Sequence, residues 1–301
     1  MIRVQKSHLI VLFSISIILS ILTYARNLIW KDEMTLWEDV VRKSPNKVRG
    51  YISLGLTYTK KGAFNQAINA YSKALSMTPD SSELYNNLGL LYCRINRPEE
   101  AIAMFLKAIS LNQTNAQAYN NLCTVFYEKG VYDHALEACT KAIITNPDNT
   151  ESYYNLGLIY MNKKEYDKAV EMFNIVISQK PDLIDTYYNR GLSYLYMGEY
   201  NKAMIDFDYL IHLNPSYGSA YFNIGIIYLK KEEINKAIEF FNKSLEINPN
   251  AIEVYLMRGA AFLKSGNKAY AMADFKKACN MGSQKGCFKV KSLPKDKGTG
   301  R

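Results

Sequence analysis

The sequence predicts an all-α solenoid of stacked helical hairpins, and three observations carry that expectation. One pattern of large and small residues recurs seven times at a fixed 34-residue spacing, over 48–81, 82–115, 116–149, 150–183, 184–217, 218–251 and 252–285. A fixed period of this length marks an array of small supersecondary units stacked on one another. Within each unit the apolar residues fall at helical spacing. Most units end in proline, at Pro79, Pro147, Pro181, Pro215 and Pro249, which stops a helix before the next unit begins.

With the first residue of each unit numbered position 1, position 4 is tyrosine throughout: Tyr51, Tyr85, Tyr119, Tyr153, Tyr187, Tyr221 and Tyr255. Position 11 is Tyr or Phe in every unit, from Tyr58 to Phe262. With positions 7 and 8 these make an i, i+3, i+4, i+7 stripe, one face of a first helix. Position 8 is glycine in six units and Cys123 in the third, and position 20, on a second helix, is alanine in all seven. Small residues let two helix backbones approach while aromatics fill the flanks. A mid-helix glycine costs about 1 kcal/mol relative to alanine, so its recurrence at one position implies that packing requires it. No single hairpin can bury its own apolar face, and the stack supplies the core.

This spacing resembles the tetratricopeptide repeat, over about four-fifths of the chain. The resemblance implies a right-handed superhelical solenoid whose first helices line a concave groove for protein segments. Trp37, Val40 and Pro45 fall on positions 24, 27 and 32 counted back one period from Val48, so 31–47 reads as a half repeat, a lone second helix. After the seventh unit a short helix near 286–293 is expected to cap the stack. The basic tail from Pro294 reads as disordered.

The apolar run Leu9–Ala25, preceded by Arg3 and Lys6, predicts an uncleaved membrane anchor within 1–30, with Trp30 at headgroup depth. A signal peptide cleaved after Ala25 is the competing reading, opposed by bulky Tyr24 and the lack of a polar segment before the site. Arg26-Asn27-Leu28-Ile29-Trp30-Lys31-Asp32-Glu33, with Leu36-Trp37 and Ser44-Pro45-Asn46-Lys47, resembles the junction of transmembrane-and-tetratricopeptide proteins. That resemblance implies an array on the non-cytoplasmic side. The multi-span part that would hold the family's acidic catalytic residues is absent, so the likeness bears on topology rather than on catalysis.

The formal charge of +9 resides at the two ends, leaving 32–283 neutral. A nucleic-acid binder needs a basic working surface, which this array lacks. The five cysteines, Cys93, Cys123, Cys139, Cys279 and Cys287, contain no CxxC pair and describe neither a zinc site nor a disulfide framework. Cys123 and Cys139 replace the glycine at position 8 and the aromatic at position 24 of one unit, on facing helices. The favoured expectation is two buried thiols acting as small hydrophobes; an oxidising compartment would allow a bridge instead. Cys279 and Cys287 pose the same choice.

The first helices carry a second stripe at positions 2, 5, 6, 9, 12 and 13, which in tetratricopeptide proteins lines the groove. Position 6 is asparagine in five consecutive units, at Asn87, Asn121, Asn155, Asn189 and Asn223. A similar asparagine ladder occurs in the repeat array of O-linked N-acetylglucosamine transferase. The amides suit contact with the backbone of an extended peptide, or hydrogen bonds between neighbouring helices. Position 5 turns aromatic at Tyr154, Tyr188 and Phe222, and position 9 carries Leu158, Leu192 and Ile226. The Lys and Arg pattern of the chaperone-tail clamp is absent, since position 2 is mainly acidic. His8, His134 and His212 occupy unrelated places, and no metalloprotease, nucleophile-elbow or phosphate-loop motif occurs.

The sequence is thus read as a membrane-anchored scaffold binding an extended protein or peptide segment in its groove. It is expected to be no enzyme and to use no cofactor, nucleic acid or small-molecule substrate. The alternative is an accessory module that presents acceptor proteins to a membrane glycosyltransferase.

Overall fold

The structure is a computed structural model describing the backbone of residues 2–30 and 32–293, and the side chains of 11–24, 30 and 32–293. The chain divides into two compact units, Met1–Pro147 and Asp148–Arg301. The first holds α1 (Ile2–Ile29), α2 (Glu33–Lys43), and the hairpins α3/α4 (Val48–Lys60, Phe64–Met77), α5/α6 (Ser82–Arg94, Pro98–Leu111) and α7/α8 (Ala116–Glu128, Tyr132–Thr145). The second holds α9/α10 (Thr150–Asn162, Tyr166–Gln179), α11/α12 (Ile184–Met197, Tyr200–Leu213), α13/α14 (Gly218–Lys230, Ile234–Ile247), α15/α16 (Ile252–Lys264, Lys268–Asn280) and α17 (Gln284–Ser292). The described residues are all-α, without strands.

Each first helix begins at position 1 and each second helix at position 17, and local chemistry explains both. Ser81, Asn115 and Asn149 at position 34 accept hydrogen bonds from the backbone N–H of Leu84, Ala118 and Ser152, capping the following helix. Position 15 turns left-handed, at Gly62 (φ +75°), Gly130 (+74°), Gly198 (+80°) and Gly266 (+81°). In the alternate repeats Asn96, Lys164 and Glu232 adopt the same conformation at φ 57°, 62° and 64°. A non-glycine residue there costs roughly 1 kcal/mol.

The hairpins close on one contact. A Cβ on the position 8 glycine would lie 2.4 Å from the Phe105 ring at Gly89, 2.5 Å from Phe173 at Gly157, 2.9 Å from Phe207 at Gly191 and 2.6 Å from Phe241 at Gly225. These position 24 rings are fully buried, as is every position 20 alanine. Burying one such ring contributes about 1.5–3 kcal/mol.

The third repeat has neither glycine nor ring. There the Cys123 and Cys139 Cα atoms approach to 5.2 Å, and the sulfurs form a disulfide at 1.99 Å. A second disulfide, Cys279–Cys287, ties α17 to α16. Where the sequence favoured buried thiols at all four positions, the structure joins them in pairs. Cys93 carries a free thiol. Burial, with Glu128 nearby, pushes it up to about 11.

Two repeats of the second unit enclose a charge at position 7, where the others carry leucine or isoleucine. Arg190 donates to both carboxylate oxygens of Asp206, at 2.9 and 2.6 Å, and to Asn174 Oδ1 of the preceding repeat at 2.7 Å. Arg258 repeats this on Asp274, at 2.9 and 2.7 Å, and on Asn242, at 2.7 Å. Burial works against the Arg190 charge, but the bidentate Asp206 carboxylate outweighs it and leaves the guanidinium above its usual value. Arg190 also lies over the rings of Tyr187 and Tyr194, at 5.5 and 6.0 Å.

At the start of the array Met34, Trp37 and Val41 of α2 pack on the core cluster of Leu54, Tyr58 and Tyr71. Tyr58 Oη donates to Glu38 Oε1 at 2.8 Å. Gly286 of α17 is buried against Ala278 and Phe275 of α16. The tail from Pro294 lies outside the described residues.

The expected membrane anchor is overturned. Among the described residues no helix is long and apolar enough to cross a membrane. The run Leu9–Ala25 has 17 residues and includes Ser14, Ser16, Ser20 and Thr23. At 1.5 Å per residue it reaches about 25 Å, short of the roughly 30 Å hydrocarbon core. The single-pass topology and the non-cytoplasmic placement of the array rested on that segment, and they fall with it. Val11–Tyr24 of α1 are all exposed.

Four outcomes follow for folding and thiol chemistry. Gly157→Ala will lose about 2 kcal/mol in urea unfolding, because the Phe173 ring has no room to retreat. Glu232→Gly will gain about 1 kcal/mol by relieving the left-handed turn. Arg190→Leu will lose about 3 kcal/mol by stranding the Asp206 carboxylate, and adding Asp206→Met, to match Leu156 and Met172 one repeat earlier, will recover most of it. Without reductant, iodoacetamide will label Cys93 alone. A thiol raised to about 11 is almost wholly protonated at neutral pH, so its labelling rate will climb with pH up to that value. Labelled Cys139 would refute the first bridge.

Candidate functional site

The groove stripe of the first helices is built differently in the two units. In the first, the buried Asn121 Nδ2 donates to Asn86 Oδ1 at 2.9 Å, and Gln117 Nε2 donates to Asn121 Oδ1 at 3.2 Å. Both ends of that amide are occupied. Asn87, one residue beyond Asn86, is half-buried.

In the second unit the same link is made with phenols. Asn189 Nδ2 donates to Tyr154 Oη at 2.9 Å. Asn223 Nδ2 reaches Tyr188 Oη at 3.4 Å and the Ser219 carbonyl at 2.9 Å. Position 6 thus bonds to position 5 of the preceding repeat, which engages an amide donor of Asn121, Asn189 and Asn223 between neighbouring helices. The Oδ1 acceptors of Asn189 and Asn223 receive no hydrogen bond among the described residues. Asn155 is half-buried.

The position 5 rings stand on the position 24 rings of their own repeats: Tyr154 on Phe173 at 6.0 Å, Tyr188 on Phe207 at 6.1 Å and Phe222 on Phe241 at 5.9 Å. The groove floor is therefore continuous with the core. Tyr188 also meets Tyr217 at 5.7 Å. Burial, and then Asp185 beside it, pushes the Tyr217 hydroxyl up.

Five of the expected groove residues converge. Tyr188, Leu192, Phe222, Asn223 and Ile226 line a pocket of about 590 Å³ between α11 and α13. Leu195, Tyr196, Met197, Gly198, Tyr200 and Lys230 complete it. Sequence reasoning named none of these six individually. The stripe's positions 12 and 13 were the available signal for Leu195, Tyr196 and Lys230, while the turn residues had none. Tyr154, Asn155 and Leu158 lie outside the pocket lining. A second hollow of about 410 Å³ shares Phe222 and reaches Ser219, Ile247, Glu253 and Val254. Such concave, mostly apolar hollows with a few polar groups suit non-covalent binding. Among the described residues no group of three or more His, Cys, Asp or Glu is placed to hold a metal ion.

Two substitutions separate a structural role for the ladder from a purely ligand-facing one. Asn121→Ala leaves Asn86 Oδ1 buried without its donor and will cost about 2 kcal/mol in urea unfolding; Tyr154→Phe removes the hydroxyl that accepts from Asn189 and will cost about 1 kcal/mol. Two unchanged midpoints would mean that the inter-repeat bonds contribute nothing.

The solved structures similar to this chain include tetratricopeptide repeat proteins. A tetratricopeptide repeat protein from Parabacteroides merdae is 24% identical with a TM-score of 0.60, covering 81% of this chain and 97% of its own. YrrB, a tetratricopeptide repeat protein with an unusual peptide-binding site, is 24% identical at TM-score 0.57, over 62% of this chain and 95% of its own. MamA is 33% identical at TM-score 0.51, over 55% of this chain and 90% of its own. No curated protein matches the chain. Family profiles described as tetratricopeptide repeat match 82–115, 150–183, 184–217 and 218–251, and one described as TPR repeat matches 55–96 and 124–164. With its hairpins starting every 34 residues on the same template, the chain belongs to the tetratricopeptide repeat family.

Proposed function

We propose that this chain is a protein-interaction scaffold that holds an extended protein segment in the groove of its second compact unit. The observation that carries the reading is the pocket of about 590 Å³ between α11 and α13, floored by Tyr188, Leu192, Phe222 and Ile226. One aliphatic or aromatic ligand side chain buried there contributes about 1.5–3 kcal/mol. The groove rings have few rotamers to lose on binding. Asn223, whose amide nitrogen is used on Tyr188 and Ser219, lines the pocket and offers its Oδ1 to a segment's backbone N–H as an acceptor. Mechanism here means reversible recognition, with no covalent step. YrrB, at 24% identity, shares the fold, so its peptide-binding site supports the class of function and not the residues.

The test is site-specific photo-crosslinking in the full chain, with a benzophenone amino acid at Leu192 or at Ile205, an exposed position on α12. Adducts to one defined protein segment from Leu192, and none from Ile205, are expected. Equal labelling from both positions would remove the groove from consideration. With the segment in hand, Phe222→Ala will weaken its binding at least tenfold, the scale of a central aromatic anchor, while leaving the helical circular dichroism signal unchanged.

A further inference from the structure

The two hollows that share Phe222 carry opposite charges. The larger is lined by a single charged residue, Lys230, and the smaller by a single one, Glu253. Neither enters an ion pair among the described residues, although Lys236 and Lys243 of the adjacent α14 are paired with Glu233 and Glu239. The remaining lining of both hollows is apolar or neutral. Phe222, in tilted contact with the buried Phe241, lines both hollows.

Resting on the groove reading above, we infer that the second unit selects a segment of defined charge order. A bulky apolar residue seats against Phe222, an acidic side chain lies on the Lys230 side, and a basic side chain lies on the Glu253 side. Lys230 is eight residues beyond Phe222 on α13, about 12 Å along the axis at 1.5 Å per residue. An extended chain covers that distance in about four residues, which sets the separation of the acidic residue from the apolar anchor. Complementary charges of this kind fix register and reject wrong partners more than they add affinity. A neutral segment would leave both charges facing ligand without a partner, and a uniformly acidic one would leave Glu253 facing a like charge. The inference therefore names the partner chemistry: a protein segment with an acidic and a basic residue flanking an apolar centre.

The test pans a phage-displayed random dodecapeptide library on the full chain and remakes the enriched peptides with blocked termini. The expected result is an apolar centre flanked by opposite charges. Lys230→Glu should weaken these peptides about tenfold and improve their charge-reversed versions. The double variant Lys230→Glu/Glu253→Lys should prefer the reversed peptides outright. Both positions are exposed, and circular dichroism checks that the variants fold. Peptides lost on Phe222→Ala but indifferent to charge reversal at both positions would overturn this inference and leave the groove reading standing. Enriched peptides that are all indifferent to Phe222→Ala would overturn both.

Discussion

The contact between a glycine at position 8 and a ring at position 24 sets the spacing on which everything else in each unit depends. With no Cβ on Gly157 or Gly225, the rings of Phe173 and Phe241 occupy the space that a side chain there would fill. That approach brings the position 5 ring into tilted contact with the position 24 ring, as in Tyr154 with Phe173 and Phe222 with Phe241. The groove floor is therefore the upper layer of the core rather than a decoration on it. Its side chains arrive pre-ordered, which lowers the entropic cost of binding. The third repeat reaches a comparable closeness through the Cys123–Cys139 bond, a covalent substitute for the same geometry.

Much of the fold was legible because the template repeats without a gap. Helix starts, the apolar contacts of α2 through Trp37 and the close-packing positions all follow from residue size at fixed spacing. The role of the asparagines was not legible, since an amide serves equally well between helices or toward a ligand. Their bonds run from position 6 to position 5 of the repeat before, a 35-residue offset seen in Asn121 to Asn86 and Asn189 to Tyr154. A template aligned at 34 residues hides that offset.

The half-buried arginines were missed for a related reason: position 7 reads as apolar in five repeats. The signal was a paired exchange, Arg with Asp at positions 7 and 23 of the same repeat, visible at Arg190 with Asp206 and at Arg258 with Asp274. The N-terminal segment misled in the opposite direction. Its apolar character was plain, but length decides whether a helix spans a bilayer, and hydroxyl residues interrupt this one. The pocket's outer wall, at Met197, Gly198 and Tyr200, belongs to a turn that no helical periodicity describes.

The arginine networks also order the repeats. Asn174 of the fourth repeat serves Arg190 of the fifth, and Asn242 of the sixth serves Arg258 of the seventh. Excising the fifth hairpin alone would set Ile224 against the Asn174 amide. Excising the fifth and sixth together would bring Arg258 to that same amide, with Asp274 already in place. Left-handed glycines recur on the same alternation, at Gly198 and Gly266 but not at Lys164 or Glu232. In this part of the chain the interchangeable module is thus a pair of hairpins. A two-repeat step there keeps each Arg–Asp pair beside an asparagine of the repeat before it.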